Sequence, residues 1–306
     1  MADTLQVIAF PGASNWPLFA GFERKFFTER GIDLQVSLTP NSRHMARELH
    51  EGRAQIALTA IDNIIAYVEG HGEEVLEGPI DFFAFMGVDD GLLSVMTQPD
   101  VKSLAALRGT TLAVDAMTTG FAFVLRELLQ QAGLRDGDVS YASVGTGAER
   151  LAALSAGACT ATLLNAPLCL AAEAQGKARL LRVRDVLGSY QGVVGGARRS
   201  WAQANTRTLQ AFIAGFHDSI GWLADPANKE AACAILAAKM PQLKASLGAA
   251  YDLLISQGGL TRSLDIDTEG VVRVIDLRRR YSTHADKPLG SPLAYIDNSF
   301  RQAALG

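Results

Sequence analysis

Apolar and polar positions alternate in blocks along the first two-thirds of the chain. Leu5–Phe10 is an apolar run of strand length. Pro17–Arg30 follows with helical spacing, a Pro near its start and a stop at Gly31. Ile32–Leu38 alternates like a half-exposed strand. Ser42–Glu51 reads as a helix closed by Gly52, Ile56–Thr59 as a strand, Asp62–Glu69 as a helix closed by Gly70, and Phe82–Gly87 as a strand. The pattern resumes with strands at Thr111–Val114, Val139–Ser143 and Ala161–Leu164. Helices accompany them at Thr119–Ala132, Ala148–Ala156 and onward to Gln175. Strands separated by helices need crossover connections, so mainly parallel sheets are predicted.

Beyond Gly192–Gly196 the period becomes helical, at Thr206–Leu223, Pro226–Lys239, Lys244–Leu254 and Thr268–Arg280. Such a tail must lay its apolar stripes on one of the preceding blocks. Those blocks echo each other. Gly31 and Gly133 each close a helix, Gly52 and Gly157 each precede a strand, and Leu5–Phe10 corresponds to Thr111–Val114, at offsets of 102, 105 and about 106. Three correspondences in one order predict two related lobes, and facing lobes create a cleft that suits a small ligand.

Composition narrows the classes. A length of 306 residues allows two domains, and 48% hydrophobic with 20% charged residues supports a buried core and excludes global disorder. The net charge of −4 argues against nucleic acid or an anionic membrane as partner. No apolar run is long enough to span a bilayer. Cys159, Cys169 and Cys233 are odd in number and none lies in a CxxC, which predicts free thiols without a disulfide framework or zinc site. Met1–Thr4 leads straight into a strand without leader-peptide features, so the chain is either cytoplasmic or the processed form of an exported protein.

In open α/β sheets ligands lie beyond the carboxyl ends of the strands, near helix N-termini. That rule selects the loop Pro11–Trp16, where Ser14 and Asn15 offer polar groups and Trp16 a flat wall. The alternative is that Trp16 packs beneath its helix and Ser14 or Asn15 caps it; an outward Trp16 is expected from its place before Pro17. Thr118, Thr119 and Gly120 hold the equivalent place in the second block, as an anion site or as an ordinary Thr cap. Arg43 pairs with a ligand anion or stands exposed at a helix start, and Asp62 with Asn63 either caps a helix or receives a ligand amine. Asn165 stands at the matching place in the second block, and Tyr190 lies in a Gly-flanked segment suited to a hinge or cleft edge.

Catalytic templates fail. Gly145-Thr146-Gly147-Ala148-Glu149-Arg150 lacks the third Gly of a dinucleotide fingerprint, and there is no P-loop, GxSxG or HExxH. Arg278-Arg279-Arg280 reads as a solvated helix end. Catalytic residues, metal and cofactor are therefore all expected to be absent.

Several segments carry a family resemblance. Leu5–Ala20, Phe27–Leu34, Glu51–Ala57 and, most clearly, Val101–Val114 are similar to the nitrate/sulfonate/taurine class of ABC-transporter substrate-binding proteins, which includes the NMT1/THI5-like thiamine-precursor binders. Ala156–Ala161 resembles a further motif of that class, with Thr160 where the class has Asp. The resemblance implies a type II periplasmic-binding-protein fold. It has one lobe from 1–87 plus 195–306, a second from 88–194, two crossovers and a ligand clamped between the lobes. It implies a monomeric receptor for a small anionic or heteroaromatic ligand, an ABC permease and its ATPase as partners, and a periplasmic location. Ser14, Asn15, Trp16, Thr118, Thr119, Asp62 and Asn165 fall at its ligand-contact positions. A cytoplasmic enzyme on the same fold, as in the thiamine-pyrimidine, menaquinone-pathway and desulfinase relatives, is the competing expectation.

Overall fold

The computed structural model describes residues 3–284 and 287–306. The strands form two five-stranded sheets. In the first, β1 (Asp3–Ala9), β2 (Ile32–Leu38) and β3 (Ile56–Ala60) run parallel, with β1 central, and β4 (Phe82–Gly87) closes the far edge. The second contains β5 (Leu93–Thr97), β6 (Thr111–Val114), β7 (Ser140–Ser143), β8 (Ala161–Asn165) and β9 (Ala178–Arg182) in the order β7-β6-β8-β5-β9. β10 (Val193–Arg198) returns to the first sheet between β3 and β4, giving β2-β1-β3-β10-β4. The two orders are equivalent: in each sheet the fourth position is held by the strand just arrived from the other, antiparallel to both neighbours. This is the structural counterpart of the sequence echo. The α/β expectation holds.

Three strands escape the periodicity. β10 reads Val-Val-Gly-Gly-Ala-Arg, and glycines ordinarily weaken a strand. Here close approach requires them: a methyl group on Gly195 would lie 2.8 Å from Met86 Cγ, and one on Gly196 2.8 Å from Ile64 Cδ1. β5 and β9, five residues each, are also not read from the sequence.

The helices of the first part are α1 (Trp16–Glu23), α2 (Ser42–His50), α3 (Ile61–Val68), α4 (Gly120–Gln131), α5 (Gly147–Ser155), α6 (Leu168–Ala174) and α7 (Val183–Leu187). The single helix expected over Pro17–Arg30 is broken. α1 ends at Glu23, Lys25 turns with φ 62°, and only a 3₁₀ turn follows at Thr28–Arg30. The break swings Phe27 into a slot between Gly21 and Gly215, stacked on Phe212 with 5.5 Å between ring centroids. Burying that ring is worth roughly 1.5–3 kcal/mol, and the break keeps backbone hydrogen bonds such as Phe26 N to Gly21 O at 2.9 Å and Glu29 N to Lys25 O at 2.9 Å.

The tail holds α8 (Arg199–Ala204), α9 (Thr206–Ala224), α10 (Lys229–Lys239), α11 (Leu247–Tyr251), α12 (Thr268–Tyr281), α13 (Pro292–Tyr295) and α14 (Ser299–Leu305). The helix expected over Lys244–Leu254 is instead a 3₁₀ turn, α11 and a π turn at Asp252–Ser256. α9 and α14 pack over the first sheet, whereas α12 touches both α3 and α4 and so reaches helices of both sheets. Among the described residues no helix is long and apolar enough to cross a membrane.

Candidate functional site

The chain passes between sheets through 88–92 and returns through 188–192, and the two segments meet face to face. A methyl group on Gly192 would lie 2.1 Å from Gly91 N, so only glycine allows this approach. Asp89 binds the two segments together. Its Oδ1 accepts from Gly91 N and Val193 N, each at 2.9 Å, and its Oδ2 from the Ser14 hydroxyl. Burial pushes the Asp89 carboxyl up, while Ser14 and the two amides oppose it. Ser14, selected as a ligand contact, is thus tied to the crossover. Asn15 is also buried and donates to Phe10 O at 2.8 Å.

At the carboxyl ends of the second sheet, Arg150 on α5 is 4% exposed. Its Nη1 donates to Gly145 O at 2.8 Å and its Nε to Leu163 O at 3.3 Å, which leaves Nη2 without a bond among the described residues. Asp115 Oδ1 is 4.0 Å from Nη1, and Phe121 lies under the guanidinium at 6.0 Å. Desolvation draws the pKa of Arg150 below the ordinary value, with Asp115 opposing. A methyl group on Gly147 would lie 3.9 Å from Arg150 Nη2 and 4.0 Å from Asn165 Oδ1. Asn165 Nδ2 in turn lies 3.9 Å from the place a methyl on Gly12 would take. The Asn165 amide therefore stands between the β1 loop of one sheet and the α5 loop of the other. It is not sealed from solvent and has no partner among the described residues. Tyr190 is buried beside Gly91, its hydroxyl pushed up by burial first and by the Asp62 carboxylate second. These groups face the same carboxyl-end region that strand-end chemistry selects.

Asp62 closes the other side of this region. It accepts from Arg278 Nε at 2.8 Å, Arg278 Nη2 at 2.6 Å and Gly120 N at 2.8 Å. Arg278 Nη2 also donates to Thr118 O at 3.4 Å, and its guanidinium lies 5.1 Å from the Phe123 ring centroid. One carboxylate thus joins α3, α12 and the start of α4. The expected role of Asp62 toward a ligand amine is corrected: its oxygens are already bonded. Arg278 is 1% exposed and Arg280 pairs with Glu127 at 2.6 Å, so the arginine run is not simply a solvated helix end.

Other expectations change likewise. Trp16 is fully enclosed, its Nε1 donating to Ala232 O at 3.1 Å and its ring edge-on to Tyr251, which is the packing alternative. Asn63 donates to Thr59 Oγ1 at 2.9 Å, one turn back. Arg43 stands exposed at the start of α2, where Asn41 is the cap. Thr119 caps α4 by accepting from Ala122 N at 3.3 Å and donates to Asp115 at 2.6 Å. Thr118 is exposed, while Gly120 is buried and spends its N–H on Asp62. Arg150, Asp89 and Arg278 escaped the sequence reading. Arg150 had one legible signal, its place in the first turns of a helix after a strand-end loop.

Burial raises the thiols of Cys159, Cys169 and Cys233 above their ordinary value, which opposes thiolate formation. Among the described residues no group of three or more His, Cys, Asp or Glu could hold a metal.

Two matching α/β lobes-worth of sheet, exchanged strands and polar groups converging at the strand ends define the fold of periplasmic binding proteins. The chain belongs to the NMT1-like family, whose pattern matches residues 4–237. It is similar to the ligand-binding component of an ABC-type import system from Staphylococcus aureus, solved with zinc bound, at 16% identity and TM-score 0.78 over 99% of each chain. The periplasmic aliphatic sulphonate binding protein SsuA from Escherichia coli shares 18% identity and TM-score 0.76 over 96% of each chain. DszB in complex with biphenyl-2-sulfinic acid shares 13% identity and TM-score 0.68, over 100% of this chain and 99% of DszB. None of the curated proteins matches the chain.

Proposed function

We propose that this protein is the solute receptor of an ABC importer. One lobe, residues 1–87 with 195–306, and a second, 88–194, would close on a small organic ligand and dock on a permease served by its ATPase. The location would be periplasmic and the topology type II. The observation that carries the reading is the set of unpartnered polar groups at the strand ends: the Asn165 amide between two glycine-cleared loops, Arg150 Nη2, and the Tyr190 hydroxyl at the crossover. Polar groups gathered at the strand ends, without a protein partner and within reach of solvent, can exchange water for a ligand. Of the strand-end positions, Asn15, Thr118, Asn165 and Tyr190 are assigned to this site and Arg150 joins them. Receptors of ABC import systems among the similar folds support the transport reading.

DszB has the same fold, so an enzyme is the second reading; the raised thiols oppose a cysteine-based one. A thermal-shift screen of carboxylates, sulfonates, pyrimidines and aromatic acids tests both. A true ligand at a hundred times its Kd adds about 2.7 kcal/mol of stability, and Asn165→Leu abolishes that shift while leaving the unliganded melting point near that of the native chain. Mass spectrometry should recover the ligand unchanged. Conversion of the ligand, lost in Cys169→Ser, would replace the receptor reading by the enzyme one.

A further inference from the structure

A second enclosure, its walls part polar and part apolar, lies beside the first crossover, apart from the Asn165 group. It has a volume of about 60 Å³ and is bordered by Asp90 and Leu92 of the crossover, by Arg179, Arg182 and Arg184 around β9 and α7, and by Gly259 of the tail. At roughly 10–15 Å³ per water, that space takes several water-sized atoms. Its walls come from both sides of the molecule, since β9 belongs to the second sheet and the turn at 252–259 packs with the tail helices over the first.

The charge of this enclosure is uneven. Arg184 pairs with Asp90 at 2.6 Å and Arg179 with Glu173 at 2.9 Å, whereas Arg182 has no ion-pair partner among the described residues. Arg179 Nε is sealed from solvent and lacks an acceptor. With Arg184 and Arg179 each paired to a carboxylate, the exposed Arg182 leaves one net positive charge here, in a chain of net charge −4. The neighbouring backbone is strained: Leu92 holds φ 45° after Gly91 at φ 87°, and a methyl on Gly259 would lie 2.9 Å from Leu92 Cδ2. A branched residue in the left-handed region persists only where its surroundings hold it there.

We propose that this enclosure is an anion site, taking a compact oxyanion of phosphate size whose oxygens are held by Arg182 and Arg184, with Arg179 behind them. Occupied, it ties β9 and α7 to the tail turn across the crossover and resists movement of the Gly91–Leu92 segment. The site is independent of whatever the Asn165 group binds.

The test uses the full chain and inorganic phosphate, with chloride at matched ionic strength as reference. Calorimetry should give saturable one-to-one binding, weakened at least tenfold in the exposed pair Arg182→Gln/Arg184→Gln and unaltered in Asn165→Leu. Hydrogen exchange at the amides of 91–93 should slow in phosphate. A response equal to that of chloride overturns the site, as does saturable binding that survives the double substitution. Loss of phosphate binding in Asn165→Leu would place the anion at the strand ends instead and also overturn it, without touching the receptor reading.

Discussion

Replacing Arg278 by Met probes how much of the contact between the sheets depends on one buried pair. The substitution removes two of the three hydrogen bonds to Asp62, those at 2.8 and 2.6 Å, and leaves a carboxylate 4% exposed with only Gly120 N at 2.8 Å. Stranding one member of a buried pair costs about 3–5 kcal/mol. For a chain of this size each kcal/mol moves Tm by about 2 °C, so a fall of about 6–10 °C is expected. Asp62→Leu strands the guanidinium and should cost a similar amount. The double variant Asp62→Leu/Arg278→Met keeps no stranded charge; it loses the acceptor for Gly120, worth about 1–3 kcal/mol, and should be more stable than either single variant. Arg279→Met is the control, since its pair with Asp276 is exposed and worth about 1 kcal/mol at most. Calorimetric and circular-dichroism melting of the four variants gives the coupling energy. An Arg278→Met melting point within the range of Arg279→Met, or a double variant as unstable as the sum of the singles, would refute the pairing argument.

Two further outcomes follow from the packing and from burial. Gly195→Ala forces a methyl to within 2.8 Å of Met86 Cγ and Phe85 Cζ and should cost about 1–3 kcal/mol by overpacking, whereas Gly137→Ala, with nothing within 4 Å, should leave the melting point nearly unchanged. His71 is buried against His284, Ser282, Arg278 and Lys287, with Glu69 opposing, and desolvation first and Arg278 second lower its pKa. A base with a lowered folded pKa contributes stability above its unfolded value of about 6.5 and loses it as pH falls through and below that value. Denaturation profiles from pH 8 to pH 5 should therefore be flatter for His71→Gln than for the native chain, and parallel profiles would exclude His71 as the source.

The local pattern of the chain was enough for β1, β2, β3, β4, β6, β7 and β8 and for most of the helices, because each apolar period matches the period of its own element. It was enough also to mark the loops at the strand ends, since position after a strand is a sequence property. What it could not reach is any feature whose cause lies in a distant residue. Gly195 and Gly196 form a strand because Met86, Phe85 and Ile64 press on them, and α1 stops at Glu23 so that Phe27 can stack on Phe212. Trp16 turns inward because Ala232, more than two hundred residues away, offers its carbonyl. Asp62 and Asn165 read alike as polar residues after the third strand of each block, and the local sequence gives no ground for separating them. Tertiary structure separates them: Arg278 arrives on α12 to pair with Asp62, while among the described residues no side chain bonds to the Asn165 amide, which stands between Gly12 and Gly147.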